Sequence, residues 1–238
     1  MTPVLADARI PVGSRILAKL EPAEYRLLLP SLEHVLLEEG EVLVGLGDRV
    51  RHIYFPDDAV ASLLFDVDGR RTVEVAMEGN EAAVGLLLHL GGVNTHGLSV
   101  VRHAGTAMRL PVGALERFAV RGSGLQELLR RSLHALVTQI ARLGVCSRFH
   151  TIDARFALWL LMTRERTGTR ELLATHKAIA QKLGVRRSSV TGAASKLHQA
   201  SIIDYRRGRI AILDHARLGA AACPCYGTIK AQYDSFLD

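Results

Sequence analysis

The chain has 238 residues, of which 48% are hydrophobic and 23% are charged, the composition of an ordinary folded protein. No apolar run approaches the roughly 18 to 20 residues that a membrane helix needs, and the N-terminal sequence lacks the basic and apolar regions of a secretory signal. Its three cysteines are an odd number and do not suggest a disulfide framework. The sequence therefore predicts a cytoplasmic protein without a membrane partner.

The net charge of +6 is unevenly distributed along the chain. Residues 1–147 contain 15 basic and 17 acidic residues, a balance of −2, whereas residues 148–238 contain 15 and 7, a balance of +8. A basic excess confined to one region is typical of a protein that binds a polyanion there. A generally basic surface is the alternative explanation.

Short β-rich runs separated by turns occupy residues 41–110 and predict a small antiparallel barrel or roll. The runs are EVLV, HIYF, VASLLFDV, TVEVAM, LSVV and TAMRL. Asp68-Gly69 predicts a hairpin turn, since glycine tolerates the positive φ that such turns require. Helical periodicity is expected in pieces over residues 22–36, and Pro111 is expected to open a short helix.

A long helix is predicted after the segment Arg121-Gly122-Ser123-Gly124. Apolar residues then follow each other by 4, 3, 4 and 3 positions, the spacing of a coiled-coil seam. This spacing favours self-association of two chains through the helix, and packing of the helix on its own barrel is the alternative. The predicted seam consists of Leu129, Leu133, Leu136, Ile140 and Leu143.

Two short helices joined by a tight turn are predicted at residues 176–199, with Thr175 as N-cap and Gly184 in the turn. This arrangement is a helix-turn-helix, whose second helix fits the major groove of DNA. Arginines and hydroxyl side chains at the start of the second helix are suited to phosphates and base edges. The sequence SIIDYRRGRIAIL then predicts a β-hairpin with arginines at its tip, a basic wing that contacts the DNA backbone. The predicted DNA-binding residues are Lys177, Arg186, Arg187, Ser188, Ser189, Thr191, Lys196, Arg206, Arg207 and Arg209.

The order of roll, long helix and winged helix resembles the superfamily of the cyclic-AMP receptor protein and FNR, which are bacterial transcription regulators. The resemblance covers nearly the whole chain and is carried by the sequence from VRHIYFP at Val50 onward, by LGVRRSSVTGAASKLHQASIIDYRRGRIAIL and by the tail AAACPCYGTIKAQYD. It implies an α+β fold with a cyclic-nucleotide-binding-like β-roll, a double-stranded β-helix, at residues 1–121. A dimerisation helix is then expected at residues 122–150 and a winged helix-turn-helix domain at residues 151–238.

The resemblance also implies a homodimer on double-stranded DNA with a palindromic operator, with half-sites about 34 Å apart. RNA polymerase is a further candidate partner. A branch with a degenerate effector domain is favoured, since the ribose-binding Gly-Glu pair is Asn80-Glu81 here and the phosphate-binding pair falls at His96-Gly97. The candidate effector pocket is Glu81, His96 and Arg102. In the second helix, the family's later base-reading arginine falls at Gly192, so base readout is expected to depend on Arg187, Ser188 and Ser189.

No cofactor is predicted from these features. The FNR-type iron-sulfur cluster requires N-terminal cysteines, and no cysteine precedes Cys146. Cys146 and His150, one helical turn apart, suggest either a metal or redox site or a small core residue, and the core is favoured. Cys223 and Cys225 suggest either metal binding or oxidation or a packed, reduced pair, and the packed pair is favoured. The expectation is therefore no metal site.

No phosphate-binding glycine loop, dinucleotide fingerprint or nucleophile elbow is present, so no catalytic residue is predicted and the chain is not expected to be an enzyme. A cupin-like metal-binding barrel enzyme with a basic helical tail is the alternative from that class.

Overall fold

The computed structural model describes residues 13–91 and 97–237. It begins with helix α1 (Arg15–Ala18), where the Ser14 side chain accepts a hydrogen bond from the Leu17 amide, and with helix α2 (Pro22–Leu28). A single 3-10 turn (Leu29–Ser31) follows. The expectation of helical pieces as far as residue 36 was wrong in its last part, because Glu33–Leu37 is strand β1. Its antiparallel pairing with residues 105–109 overrides the local pattern.

The remaining strands of the roll follow the β-rich runs of the sequence. They are β2 (Val42–Val44), β3 (His52–Pro56), β4 (Val60–Asp66), β5 (Thr72–Glu78), β6 (Gly97–His103) and β7 (Gly105–Pro111). One sheet has the order β1-β7-β3 and the other β2-β6-β4-β5, and the pairings are antiparallel. A short helix α3 (Leu86–Leu90) leaves the roll between β5 and β6.

The turn predicted at Asp68-Gly69 is confirmed. Gly69 has φ +72°, and the Val67 amide donates to the Arg71 carbonyl at 2.8 Å. The carboxylate of Asp66 accepts a hydrogen bond from the Gly69 amide, which fixes the turn between β4 and β5. The hairpin therefore turns at Gly69, as the sequence predicted.

Two helices follow the roll, α4 (Val112–Phe118) and the long helix α5 (Gly124–Phe149). Ser123 caps α5 by accepting a hydrogen bond from the Gln126 amide at 3.1 Å. The predicted seam is partly used within the chain, because Leu129 and Leu136 are buried in the core. Leu133 and Ile140 are half-buried, and Val137 between them is 49% exposed. The apolar surface left on α5 thus keeps Leu133 and Ile140 of the predicted seam and includes Val137 in place of Leu136.

The C-terminal part contains the predicted helix-turn-helix and hairpin together with further helices and one further strand. Helix α6 (Ile152–Thr167) begins at the N-cap Thr151, and strand β8 (Glu171–Leu173) follows it. Helices α7 (His176–Leu183) and α8 (Arg187–Gln199) precede strands β9 (Ile203–Arg206) and β10 (Arg209–Ile212). The sheet order is β8-β10-β9, so β8 adds a third strand to the hairpin. Helices α9 (His215–Ala221) and α10 (Cys225–Leu237) end the chain.

A buried polar network joins the roll, the long helix and α6. The Arg166 guanidinium of α6 donates to Glu81 of the roll at 2.7 Å and to Gln139 of α5 at 2.9 Å. Gln139 in turn donates to the Met77 carbonyl of β5 at 3.0 Å. The side chains of Arg166 and Glu81 are each only 6% exposed. Three parts of the chain are therefore held together by one buried ion pair and the hydrogen bonds of Gln139.

In the part of the chain that the structure describes, no helix has the length and apolar character needed to cross a membrane.

Candidate nucleic-acid interface

The turn between α7 and α8 is built by a cap at each end of α7. The Thr175 hydroxyl accepts a hydrogen bond from the Ala178 amide at 3.2 Å. Gly184 ends α7 in the left-handed region at φ +64°, and the Val185 amide donates to the Ala180 carbonyl at 3.0 Å. The predicted helix-turn-helix is confirmed, with α8 as its second helix.

His176 fixes the position of α8 against α7 and against the hairpin. Its ring stacks on Tyr205 of β9 at 4.1 Å between centroids, and its Nδ1 lies 3.0 Å from the Thr191 hydroxyl. Burial, with a further contribution from the charge of Arg187, lowers the pKa of His176. Thr191 also donates to the Arg187 carbonyl at 3.1 Å, so its hydroxyl is already engaged inside the domain, although it was predicted to contact DNA.

The first turn of α8 presents the basic cluster to solvent. Arg186, Arg187 and Ser188 are exposed, and Ser189 is half-buried. Arg186 is the N-cap residue, so these side chains surround the positive end of the helix dipole. Cationic and hydroxyl donors at a helix N-terminus form a surface that attracts phosphates.

The two predicted lysines lie in different environments. Lys177 is exposed on the first turn of α7. Lys196 lies 2.5 Å from the Asp153 carboxylate of α6, although its side chain remains 68% exposed. Lys196 is thus paired with α6 in this structure. Of the two lysines, only Lys177 has no acidic partner among the described ion pairs.

The hairpin predicted after α8 is confirmed, and its strands are joined by a two-residue turn. Arg207 and Gly208 have φ +49° and +83°, values that fit the turn type favoured in tight hairpins. The flanking arginines are exposed but paired, since Arg206 lies 3.2 Å from Asp204 and Arg209 lies 3.5 Å from Glu171. These solvent-exposed pairs are weak enough to exchange for phosphates.

Two of the three predicted effector residues, Glu81 and Arg102, do not come together. Glu81 is buried in the ion pair with Arg166. Arg102 instead faces a cavity between the roll and α7, and its buried Nε has no hydrogen-bond partner among the described residues. His96 lies outside the described residues. Glu81 and Arg102 therefore do not line a common pocket of the kind that binds a cyclic nucleotide in the family.

Four residues that the sequence analysis considered as two separate pairs lie together at the C-terminal end of α5. Cys146 and His150 belong to α5 and its C-cap, and Cys223 and Cys225 flank Pro224 between α9 and α10. The Sγ atoms of Cys146 and Cys223 are 3.3 Å apart, and the Cys225 Sγ lies 3.6 Å from the His150 Nδ1. Burial raises the pKa of the Cys146 thiol, as do the thiols beside it.

Comparison with known proteins identifies the C-terminal domain and the fold. The family model of the Crp-like helix-turn-helix domain matches residues 154–221. A comparison with curated proteins finds no match. Three solved structures illustrate the similarity of the fold.

The first is TTHB099, a transcriptional regulator of the CRP family from Thermus thermophilus, which is 17% identical, has a TM-score of 0.64, and covers 80% of this chain and 96% of its own. FixK2 from Bradyrhizobium japonicum is 14% identical with a TM-score of 0.65 and coverages of 81% and 98%. The c-di-GMP-responsive global regulator CLP from Xanthomonas campestris is 12% identical with a TM-score of 0.62 and coverages of 81% and 99%. The resemblance seen in the sequence is confirmed: the chain has the Crp/Fnr-like fold of β-rich domain, long helix and helix-turn-helix, and residues 154–221 are a Crp-like helix-turn-helix domain.

Proposed function

We propose that the protein is a homodimeric transcription regulator that binds double-stranded DNA in a sequence-specific manner. The observation that carries this proposal is the exposed cluster of Arg186, Arg187 and Ser188 at the start of α8, within a Crp-like helix-turn-helix domain. A second helix of this kind enters the major groove with its N-terminal residues against base edges. The cupin-like enzyme alternative loses support, because the basic C-terminal region is a DNA-binding domain rather than a tail.

Arg187 is the residue that we expect to read a base. It stands in the first turn of α8, it is exposed, and the helix is held by the contacts of His176 below it. A guanidinium that donates two hydrogen bonds to guanine discriminates against other bases by about 1 to 3 kcal/mol. Selection of bound sequences from a random DNA pool should enrich a palindrome, and its binding is then measured by fluorescence anisotropy.

The comparison of specific with random DNA separates base contacts from phosphate contacts. Arg187→Ala should weaken binding to the selected palindrome by a factor of roughly 5 to 150 and binding to random DNA much less. Gln199→Ala, at the exposed end of the same helix, is the matched control and should change neither. Equal losses on both DNAs would assign Arg187 to the phosphate backbone, and failure to enrich any sequence would contradict the proposal.

The wing is expected to contribute mainly through phosphates. Replacing Arg206, Arg207 and Arg209 by glutamine should flatten the dependence of affinity on salt, since each lost phosphate contact lowers the slope by roughly one unit. Arg207 at the turn should account for more of the change than its neighbours, which already have acidic partners. An unchanged slope would contradict this role of the wing.

Dimerisation through α5 is proposed on the face that the chain leaves uncovered. Half-buried Leu133 and Ile140 flank exposed Val137, and Gly144 continues the row with a spacing of 4, 3 and 4. Val137→Glu places a charge at the centre of that row and should shift the sedimentation of the protein from dimer to monomer. Val67→Glu, at an equally exposed position on the roll, should leave the dimer intact. A monomeric wild-type protein would contradict the proposed dimer.

An effector, if the protein is controlled by one, is proposed to be an anion. The cavity of about 720 Å³ between the roll and α7 is lined by Arg70, Arg71, Arg102 and Lys182, with Glu74 as a counter-charge. Burial lowers the pKa of Lys182, and Glu74 opposes that change at 3.8 Å. Nucleotides, including cyclic ones, are the first probes, and Arg102→Ala should abolish any effect that they have on DNA affinity.

A further inference from the structure

The Cys146, His150, Cys223 and Cys225 side chains converge from two distant segments of the chain. Each offers one ligand atom, and these four atoms all lie within 4.8 Å of one another. The three cysteines are buried and the histidine is half-buried. Such a group is unusual in a core, because an apolar side chain would fill the same space without bringing four metal-binding atoms together.

Two of the distances between these atoms are close to those around a single tetrahedral ion. With Zn–S bonds of about 2.3 Å and Zn–N bonds of about 2.0 to 2.1 Å, neighbouring ligand atoms of a tetrahedron lie about 3.5 to 3.8 Å apart. The Cys225 Sγ to His150 Nδ1 distance of 3.6 Å falls in this range, and the Cys146 to Cys223 distance of 3.3 Å is slightly shorter. The other distances are within 4.8 Å, so the four atoms are grouped closely enough to surround one ion after side-chain adjustment.

We propose that Cys146, His150, Cys223 and Cys225 bind one zinc ion per chain. Three thiolates and one imidazole are a ligand set of structural zinc sites, and four protein ligands leave no open position for catalysis. The loaded site would carry one net negative charge, because zinc-bound thiols are deprotonated. Arg155 and Arg142 act electrostatically on Cys146 and Cys225 and would offset that charge.

Two other uses of the same residues fit less well. A disulfide between Cys146 and Cys223 would explain only two of the four groups and would leave Cys225 and His150 beside each other without a role. An iron-sulfur cluster needs its ligands far enough apart to enclose several irons. The compact arrangement of the four atoms instead fits a single ion.

The site lies at the junction between α5 and α6, just before the DNA-binding domain. His150 is the C-cap of α5, and the next residue, Thr151, is the N-cap of α6. A metal at this point would clamp the end of the long helix to the connection between α9 and α10. Metal binding would then stabilise the junction and fix the direction in which α6 leaves α5.

Metal content of the purified full-length protein, measured without DNA, tests the site independently of the proposed function. We expect one equivalent of zinc after expression and dialysis, and a thiolate-to-metal absorption band when Co²⁺ replaces it. Competition with a coloured chelator gives the affinity. No zinc uptake by reduced protein, or a Co²⁺ spectrum without thiolate character, would overturn the proposal.

Variants assign the ligands. Cys225→Ser should lower the zinc affinity by at least about tenfold. His134→Ala, on the exposed face of α5, should leave it unchanged. A Cys225→Ser protein that retains wild-type affinity would overturn the assignment even if the variant is less stable. Thiol counting on the unfolded wild-type protein, with metal removed, should find three reactive thiols. A single thiol would establish a disulfide instead, and iron accompanied by acid-labile sulfide would establish a cluster.

Discussion

Removal of Arg166 should strongly destabilise the protein. Its guanidinium and the Glu81 carboxylate are 2.7 Å apart and almost completely buried. At an effective dielectric constant of about 20, two unit charges at this distance attract by roughly 6 kcal/mol before desolvation is subtracted. Arg166→Ala leaves Glu81 buried without its partner, beside the equally buried Glu78. We expect the free energy of unfolding to fall by about 3 to 5 kcal/mol.

Urea denaturation, monitored by tryptophan fluorescence, measures this loss of stability with a probe in α6. Trp159, the only tryptophan of the chain, is buried in α6, the helix that also carries Arg166. Arg71→Ala, which breaks the exposed pair of Arg71 with Asp68, serves as the control and should change the unfolding curve little.

A double-mutant cycle separates the ion pair from the packing of the arginine stem. Glu81→Gln combined with Arg166→Met replaces two buried charges by neutral groups and should recover most of the lost stability. The interaction energy in the cycle should be about 1 to 3 kcal/mol. If Arg166→Ala costs less than about 1 kcal/mol, or if the two single losses simply add, the pair is not buried as described and the reasoning fails.

Three further outcomes are expected. Burial raises the pKa of Glu78 from 4.5 to about 8, and the charge of Glu81 adds to the shift. The unfolded chain therefore loses this proton at a lower pH than the folded protein does, and stability should fall by about 2.5 kcal/mol between pH 5 and 7 in urea denaturation. Glu78→Gln should remove that slope. Burial lowers the pKa of His176, and this shift has the opposite effect on stability to that of Glu78. Stability should fall as the pH decreases below 6.5, and in thermal melts the His176→Asn variant should lose this part of the pH dependence. Gly184→Ala should destabilise the domain by about 1 kcal/mol in the same melts, since φ is +64° there and nothing lies within 4 Å of the added methyl.

The elements visible in the sequence are those set by local chemistry. The Asp68-Gly69 turn, the caps of α7 and the Arg207-Gly208 turn each depend on a residue whose backbone or side-chain preference is strong within a few positions. For this reason the roll and the helix-turn-helix could be located from the sequence. Strand β1 could not, because its pairing partner β7 lies more than 60 residues away and decides its conformation.

The site was harder to predict where side chains already have partners in the fold. Thr191 and Lys196 are residue types that commonly contact DNA. In the fold, however, the Thr191 hydroxyl hydrogen-bonds to His176 and Lys196 pairs with Asp153. Cys146 and Cys223 are separated by 77 positions, so no spacing rule connects them. A coiled-coil pattern likewise marks the apolar side of α5 without showing which part of that side the same chain covers. The burial of Leu129 and Leu136 within the chain could therefore not be predicted from the pattern.

The long helix can serve the roll and a second chain at once because its faces are separated. Gln139, in the buried network, and Val137, on the exposed row, are two positions apart and so point about 200° apart around the helix. Val137→Glu should therefore change the oligomer without disturbing the Arg166 network, whereas Arg166→Ala should loosen the domains without changing the exposed row. Their effects on DNA affinity should then add in the double variant. A loss larger than the sum would mean that dimerisation and domain packing are coupled through α5, which is the path that a signal from the roll would need to reach α8.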